Sequence, residues 1–204
     1  MLEDTGERII PEKMKVTSHM LIEHLARYHF ANLFLKGKVL DMASGTGYGT
    51  HIIAKRTVKL DHVIGVDHDK DTLAYARHNY YHPKSSFVQA DVADTHLLEK
   101  IGQFDCIVSF ETLEHIREEE QFLSNIYHML KPGGTLILST PFGKGRHQPC
   151  GNPFHVHQFT EDEFKSLFKS YQKTTFYYQN GALIVPEKLL NHEKFPIGIV
   201  VCEK

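Results

Sequence analysis

This sequence has few cysteines, no excess of either charge and no long apolar run. Its 204 residues hold three cysteines, Cys106, Cys150 and Cys202, odd in number and far apart. Such a set argues against a disulfide framework and for reduced thiols in a cytosolic compartment. No apolar stretch approaches the ~20 residues that cross a bilayer, so no membrane span is expected. The opening MLEDTGERII is polar and acidic and lacks the apolar core of a secretory signal, so the expected location is the cytoplasm. Lysine and arginine total 23 against 25 aspartates and glutamates, a net charge of -2. That balance implies no strongly basic face beyond a local patch that an average would hide, and a long nucleic-acid partner is not expected. Repeats and low-complexity tracts are absent too. With 41% hydrophobic and 24% charged residues the composition is globular. The length fits one domain over residues 1–204 and suffices to bury a core without staples.

What is present is an alternation of short apolar runs and helical periodicities. Residues 1–16 read as irregular. A helix follows from Thr17 or Ser18 to about Leu35, with Leu21, Leu25 and Tyr28 at helical spacing and either hydroxyl as its cap. Strands are then expected at Lys38–Met42, His62–Val66, Ser86–Gln89, Phe104–Ser109 and Thr135–Thr140. Helices separate them: one through about Arg56, one capped by Asp69 and reaching Tyr80 or Tyr81, a short one capped by Asp94 and reaching Ile101, and Glu118–Leu130, stopped by Lys131-Pro132-Gly133-Gly134. Apolar strands alternating with helices imply a parallel sheet covered on both faces. In the tail, Thr160-Glu161-Asp162-Glu163 is a capping box opening a helix to about Ser170. Lys173–Gln179 and Ile197–Cys202 read as sixth and seventh strands, and the stretch between them, with Asn180-Gly181 and Pro186, as an insertion.

The chemistry-bearing signal is Val39–Gly49, a buried strand running into a turn with glycines at 45, 47 and 49. Glycines there permit unusual backbone dihedrals and close approach of a ligand. Asp67, at the end of the second strand, lies 22 residues after Gly45. An acid in that place can accept hydrogen bonds from both ribose hydroxyls of a nucleoside. Asp91 ends the third strand, where it can receive an adenine amino group or simply cap the next turn. The glycine spacing departs from the dinucleotide fingerprint G-x-G-x-x-G, whose third position falls on Thr50. Asp41 inside the first strand suits a cationic group nearby and would repel a pyrophosphate.

Asp41–Gly49 resembles motif I of the class I S-adenosylmethionine (SAM)-dependent methyltransferases. Asp67 and Asp91 are similar to their ribose- and adenine-binding acids, with Val92 beside the ring. The runs Phe104–Ile116 and Leu130–Pro141 resemble the branch that contains ubiquinone- and menaquinone-biosynthesis methyltransferases. This resemblance spans about residues 6–180. It implies a Rossmann-like α/β fold: a seven-stranded, mostly parallel sheet, order 3-2-1-4-5-7-6, with the seventh strand antiparallel and helices on both faces. It implies SAM as cofactor, with S-adenosylhomocysteine as product, held by Asp41, Ala43, Ser44, Gly45, Gly47, Asp67, His68, Asp91, Val92, Phe110 and Glu111. Gly6–Glu12 and the helix residues Glu23, His24, Arg27 and Tyr28 resemble a bacterial subgroup whose first helix covers the cofactor.

On the acceptor side, His115 follows the fourth strand, and His155 and His157 lie in the loop after the fifth. In an extended segment the latter two would point to one side. All three are candidate catalytic residues; the other reading is that they orient the loop or pack. His147, Cys150, His155 and His157 do not form a standard zinc spacing, so no metal is expected. The fourth-strand sequence Ser109-Phe110-Glu111-Thr112 also lacks the Asn/Asp-Pro-Pro-aromatic tetrad associated with methylation of base amino groups. The expected function is therefore O- or N-methylation of a small molecule of sugar, lipid-like or natural-product type, by a monomer or homodimer. The alternatives are a nicotinamide-dependent oxidoreductase on the same fold and a non-catalytic SAM-binding module.

Overall fold

A computed structural model describes residues 8–190 and 194–204. Gly6 and Glu7 of the N-terminal resemblance lie outside the described residues. The first five strands are β1 (Gly37–Met42), β2 (Leu60–Asp67), β3 (Ser85–Gln89), β4 (Phe104–Phe110) and β5 (Leu130–Pro141). They pair in parallel in the order 3-2-1-4-5. Helices α1 (His19–Ala31), α2 (Tyr48–Arg56), α3 (Lys70–Asn79), α4 (Leu97–Ile101), α5 (Glu119–Met129) and α6 (Glu161–Ser166) lie between and around them.

Side chains along each central strand alternate between two cores. Leu40 and Met42, Ile107, Leu136 and Leu138, and Val200 pack with Phe122 and Ile126 of α5 and Phe164 of α6. Val39, Cys106 and Val108, Ile137 and Ile199 pack with Leu21 and Tyr28 of α1 and Ile53 of α2. A parallel sheet buried on both faces is the result.

The C-terminal side corrects the expected strand count. Among the described residues the sheet has eight strands, in the order β3-β2-β1-β4-β5-β8-β6-β7. Here β6 is Lys173–Asn180, β7 is Leu183–Pro186 and β8 is Ile197–Glu203. The expected last strand is β8, antiparallel between β5 and β6 as anticipated. The insertion supplies the extra strand. Gly181, with φ +59°, turns the chain so that Leu183–Pro186 folds back on Tyr177–Asn180. A positive φ at a two-residue connection is the hairpin signature, and Asn180-Gly181 carried it.

Local start signals hold at three helices and fail at one. Ser18 caps α1, Asp69 caps α3 through the amides of Asp71 and Thr72, and Thr160 with Glu163 forms the capping box of α6. Asp94 does not cap α4; its carboxylate accepts from the His96 amide, and the helix begins at Leu97 without a side-chain cap. Four helices are shorter than expected: α1 ends at Ala31, α3 at Asn79, α5 at Met129 and α6 at Ser166. The Lys131–Gly134 turn bulges within β5, where the pairing jumps from Phe104 opposite Leu130 to Cys106 opposite Thr135. No helix among the described residues is long and apolar enough to cross a membrane.

Helix α1 lies against α2 so closely that a Cβ on Gly49 would stand 1.9 Å from Cζ of Tyr28. The third glycine of the turn therefore makes room for a ring of the protein itself. Gly49→Ala should lower stability by about 1–3 kcal/mol, the usual cost of overpacking, read by urea unfolding without ligand. In a Tyr28→Ala background the same change should cost almost nothing; an undiminished cost there would refute the steric account.

Candidate functional site

The carboxyl ends of β1, β2 and β3 and the start of the segment after β4 meet at one edge of the sheet. After Met42 the chain turns through Ala43 (φ 58°), Gly45 (φ 53°) and Gly47 (φ 86°) into α2. A left-handed alanine is uncommon, and such residues cluster at ligand sites. At Gly47 a Cβ would fall 2.6 Å from Cβ of Ala76 and 2.8 Å from the Phe87 ring, so this glycine lets the turn sit on α3 and β3. At Gly45 nothing lies within 4 Å of that position, so the turn is open on the ligand side.

Asp67 locks this turn. One carboxylate oxygen accepts from the Gly45 amide at 2.9 Å and the other from the Asp69 amide at 3.0 Å. Both oxygens retain lone pairs for further donors. Asp91 accepts from the Ala93 amide at 2.8 Å, so it shapes its own turn as well as facing the site.

Two adjoining cavities occupy the edge. The first, about 300 Å³, is lined by Ser44, Gly45 and Thr46 below, with His24, Tyr28 and Tyr48 on the far wall. The second, about 230 Å³, is lined by Asp91, Val92, Thr112 and Ile116. Ala43, Asp67, His68, Glu111 and His115 border both, which makes them one continuous cleft. Phe110 also borders the first. The N-terminal segment closes over it: Arg8 pairs with Asp69 at 2.7 Å, and the Ile9 carbonyl accepts from the Thr46 hydroxyl at 2.7 Å. The Ser44 hydroxyl is buried without a partner and turns inward against β2, where a Cβ on Gly65 would stand 2.8 Å from it; it is the backbone of Ser44 that borders the cleft.

The first helix meets its expectation in part. His24 and Tyr28 reach the cleft. Glu23 and Arg27 do not; they tie α1 to the β6–β7 hairpin. Gln179 accepts from the Arg27 guanidinium at 2.8 Å and donates to the Glu23 carbonyl at 2.9 Å. His24 pairs with the Tyr48 hydroxyl at 2.9 Å, and burial, with Arg27 nearby, holds its imidazole well below its ordinary pKa.

Asp41 is a correction. It does not line the cleft but lies fully buried, accepting from the Tyr28 hydroxyl at 3.1 Å and the Thr50 hydroxyl at 2.6 Å. Burial raises its pKa to about 7, although the two hydroxyls pull it down. The Tyr28 ring separates it from the ligand space and stacks edge-on with Tyr48 and Phe110 at centroid distances of 5.5 and 4.9 Å.

Glu111, at φ 50°, receives the Ser139 hydroxyl on its carboxylate at 2.7 Å. Beyond it a single 3-10 turn, Leu113–His115, places Glu114 inward and His115 at the cleft. Glu114 was not singled out from sequence, because a glutamate in a loop gives no sign of burial. Its carboxyl accepts from the Thr140 hydroxyl at 3.0 Å, and burial, with the Glu111 charge beside it, holds its pKa well above the carboxylate range. Tyr48 and Thr46 were likewise unmarked beyond following the glycines.

His155 and His157 do not share a side. The amides of Val156 and His157 both donate to the Glu114 carbonyl, which kinks the segment that an extended strand would have kept straight. His155 stacks edge-on with His115 at 4.9 Å. His157 lies instead near Phe159, in a separate depression shared with Arg117, Glu119 and Arg146.

The sequence profile of the methyltransferase-domain family matches residues 35–193. A protein of Mycolicibacterium smegmatis named as a probable S-adenosylmethionine-dependent methyltransferase is 31% identical over 170 residues, covering 81% of this chain and 63% of that protein. A ubiquinone biosynthesis O-methyltransferase of Coxiella burnetii is 31% identical over 124 residues, covering 60% of this chain and 51% of that protein. The chain thus spans less than two thirds of the length of either relative. Among solved structures, a small RNA methyltransferase superimposes with a TM-score of 0.73 at 17% identity, covering 96% of this chain and 27% of that one, a likeness of fold.

The raised pKa of Asp41 has a definite sign. An acid whose folded pKa of about 7 exceeds its ordinary 3.8 adds stability that is complete below pH 3.8 and is lost as pH rises through 7. Between pH 4.5 and 8 the wild type should lose on the order of 3 kcal/mol relative to Asp41→Asn, measured as urea unfolding at each pH. A difference that stays constant with pH would show that the carboxyl is ionised throughout.

Proposed function

Because the chain belongs to the class I SAM-dependent methyltransferases, we propose that it moves a methyl group from SAM to a small-molecule acceptor. One observation carries the reading: the turn after β1, Asp67 and Asp91 all border a single cleft. Asp67 is positioned to accept the ribose hydroxyls. Asp91 and Val92 form the wall that an adenine ring would meet, with His68 at the junction. The open turn at Ser44–Thr46 is positioned for the amino-acid end. The electron-rich faces of Tyr28, Tyr48 and Phe110 suit a cationic sulfur nearby. Asp41 acts through Tyr28 rather than by contact.

When bound, SAM supplies a methyl carbon that is already electrophilic. The residues then have to orient an acceptor in line and exclude water. The strap of Arg8 and Ile9 closes one side. His115, whose Nδ1 donates to the Phe154 carbonyl at 3.0 Å, presents Nε2 as a proton acceptor on the other. His155 stands beside it. His157, placed elsewhere, has no part in this reading.

A small acceptor fits the modest cleft and the net charge of -2. Family membership replaces the oxidoreductase alternative. A role as a mere SAM-binding module is separated by turnover. Placement in the ubiquinone-type branch, a cytoplasmic location and a single-domain organisation belong to the same proposal.

Calorimetry should show S-adenosylhomocysteine binding that weakens about 10- to 100-fold in Asp67→Ala, the loss of charge-assisted hydrogen bonds. NAD should give no heat. Radiolabelled methyl transfer should then appear with hydroxylated or amino small molecules. Label entering only RNA or protein would overturn the acceptor class.

A further inference from the structure

We propose that the connections leading into β1, β2 and β3 form a docking surface for an anionic membrane, on which Leu33, Val58 and Tyr81 enter the headgroup region while the cations around them meet the lipid charge. Such docking is independent of the methyl-transfer reading.

Topology makes these connections neighbours. Residues 32–36 join α1 to β1, residues 57–59 join α2 to β2, and residues 80–84 join α3 to β3. The three strands adjoin in parallel, with Gly37 opposite Leu60 and Val63 opposite Ser85. Adjacent strands stand ~4.8 Å apart, so the loops that enter them form a short row. Hydrogen bonds hold the row together. The Thr57 hydroxyl donates to the Asn32 side-chain oxygen at 2.6 Å, the Gly37 amide to the Lys59 carbonyl at 2.8 Å, and the Lys84 ammonium to the Leu60 carbonyl at 2.7 Å.

Each loop puts one large apolar side chain into solvent. Leu33 is 77% exposed, Val58 94% and Tyr81 77%. A single exposed apolar residue is ordinary, but one from each of three adjoining loops is a pattern that interior packing does not explain. Lys36, Lys55, Arg56, Lys59 and Lys84 are exposed around them, and none of the five stands in an ion pair among the described residues. The three loops contain no aspartate or glutamate. Asp61 is exposed beside them, and Asp105, at the start of β4, already accepts from the Lys38 amide and the Lys131 ammonium. Positive charge is therefore in excess along the row.

This combination favours one occupant. Aliphatic tips among lysines and arginine suit an anionic bilayer, where a tyrosine settles at headgroup level. A second copy of the chain would bring charge of the same sign and be repelled. Single-stranded nucleic acid is held by successive rings on which its bases stack. Tyr81 offers one such ring, while Phe30 and Phe34 are engaged with each other and with Tyr177. The row lies at the amino ends of the strands and the ligand cleft at their carboxyl ends. Strand β1 has six residues and so separates the two by ~20 Å. A chain docked by this row keeps its cleft away from the bilayer and open to water.

The sequence has no tryptophan, so Val58→Trp in the full chain is a unique reporter. Vesicles of phosphatidylcholine and phosphatidylglycerol in equal parts should shift its emission to the blue, and brominated lipid should quench it. Vesicles of phosphatidylcholine alone should do neither. In sedimentation with the mixed vesicles, Lys55→Gln, Arg56→Gln and Lys59→Gln together should weaken binding about 100-fold. Leu33→Ser with Val58→Ser should weaken it at least about tenfold. Both variants should keep the circular dichroism and S-adenosylhomocysteine affinity of the wild type, since neither alters core or cleft. An emission unmoved by mixed vesicles, or equal vesicle affinity in the apolar variant, would overturn the proposal. Capture of single-stranded RNA or polyglutamate in place of the vesicles would overturn it in favour of a polyanionic partner.

Discussion

Two backbone amides meet on one carboxylate at the end of β2, and the cleft takes its shape from that meeting. Asp67 receives the amide of Gly45 on one oxygen and that of Asp69 on the other. The first ties the glycine turn after β1 to its neighbour strand. The second sets the start of α3, whose cap Asp69 in turn anchors Arg8 and the N-terminal strap. Floor, wall and roof of the ligand space therefore converge on one side chain. Its position at the tip of a parallel strand is where open α/β sheets present ligand sites.

Around this clamp the protein buries acids where they act indirectly. Asp41 has no direct share in the ligand space; it holds Tyr28, and Tyr28 fits only because position 49 has no Cβ. Glu114 is buried at the other end and joins Thr140 of β5 to the acceptor-side loop. Buried carboxyls of this kind are costly unless satisfied. Each here has hydroxyl donors, and each braces an aromatic or imidazole group that does face the cleft. Among the charged groups that line the cleft directly, Asp67 and Glu111 keep some solvent contact and remain open to a ligand.

Periodicity and caps made the parallel core legible. Strands β1 to β5 lie at or within a few residues of their apolar runs, and Ser18, Asp69 and Thr160 start helices as their chemistry requires. The turn at Asp41–Gly49 and the acids at 67 and 91 also announced themselves, because spacing relative to strand ends is a local property. What escaped was set by tertiary contact. Strand β7 formed because Asn180-Gly181 made a hairpin against β6, although four residues gave too short an apolar pattern to see. The separation of His155 from His157 came from the Glu114 carbonyl, 41 residues before His155 in the chain and invisible to a rule of alternation. Asp41, read as a ligand acid, proved to be a core acid, since burial depends on a helix that comes earlier in the sequence.

The central claim is geometric, and a structure of the chain with bound S-adenosylhomocysteine tests it most directly. The account requires the ribose hydroxyls on the Asp67 carboxylate, the adenine against Val92 with its amino group toward Asp91, and the sulfur turned toward Tyr28 and His115. Density for the nucleoside in the depression beside His157, or with its ribose away from Asp67, would contradict it.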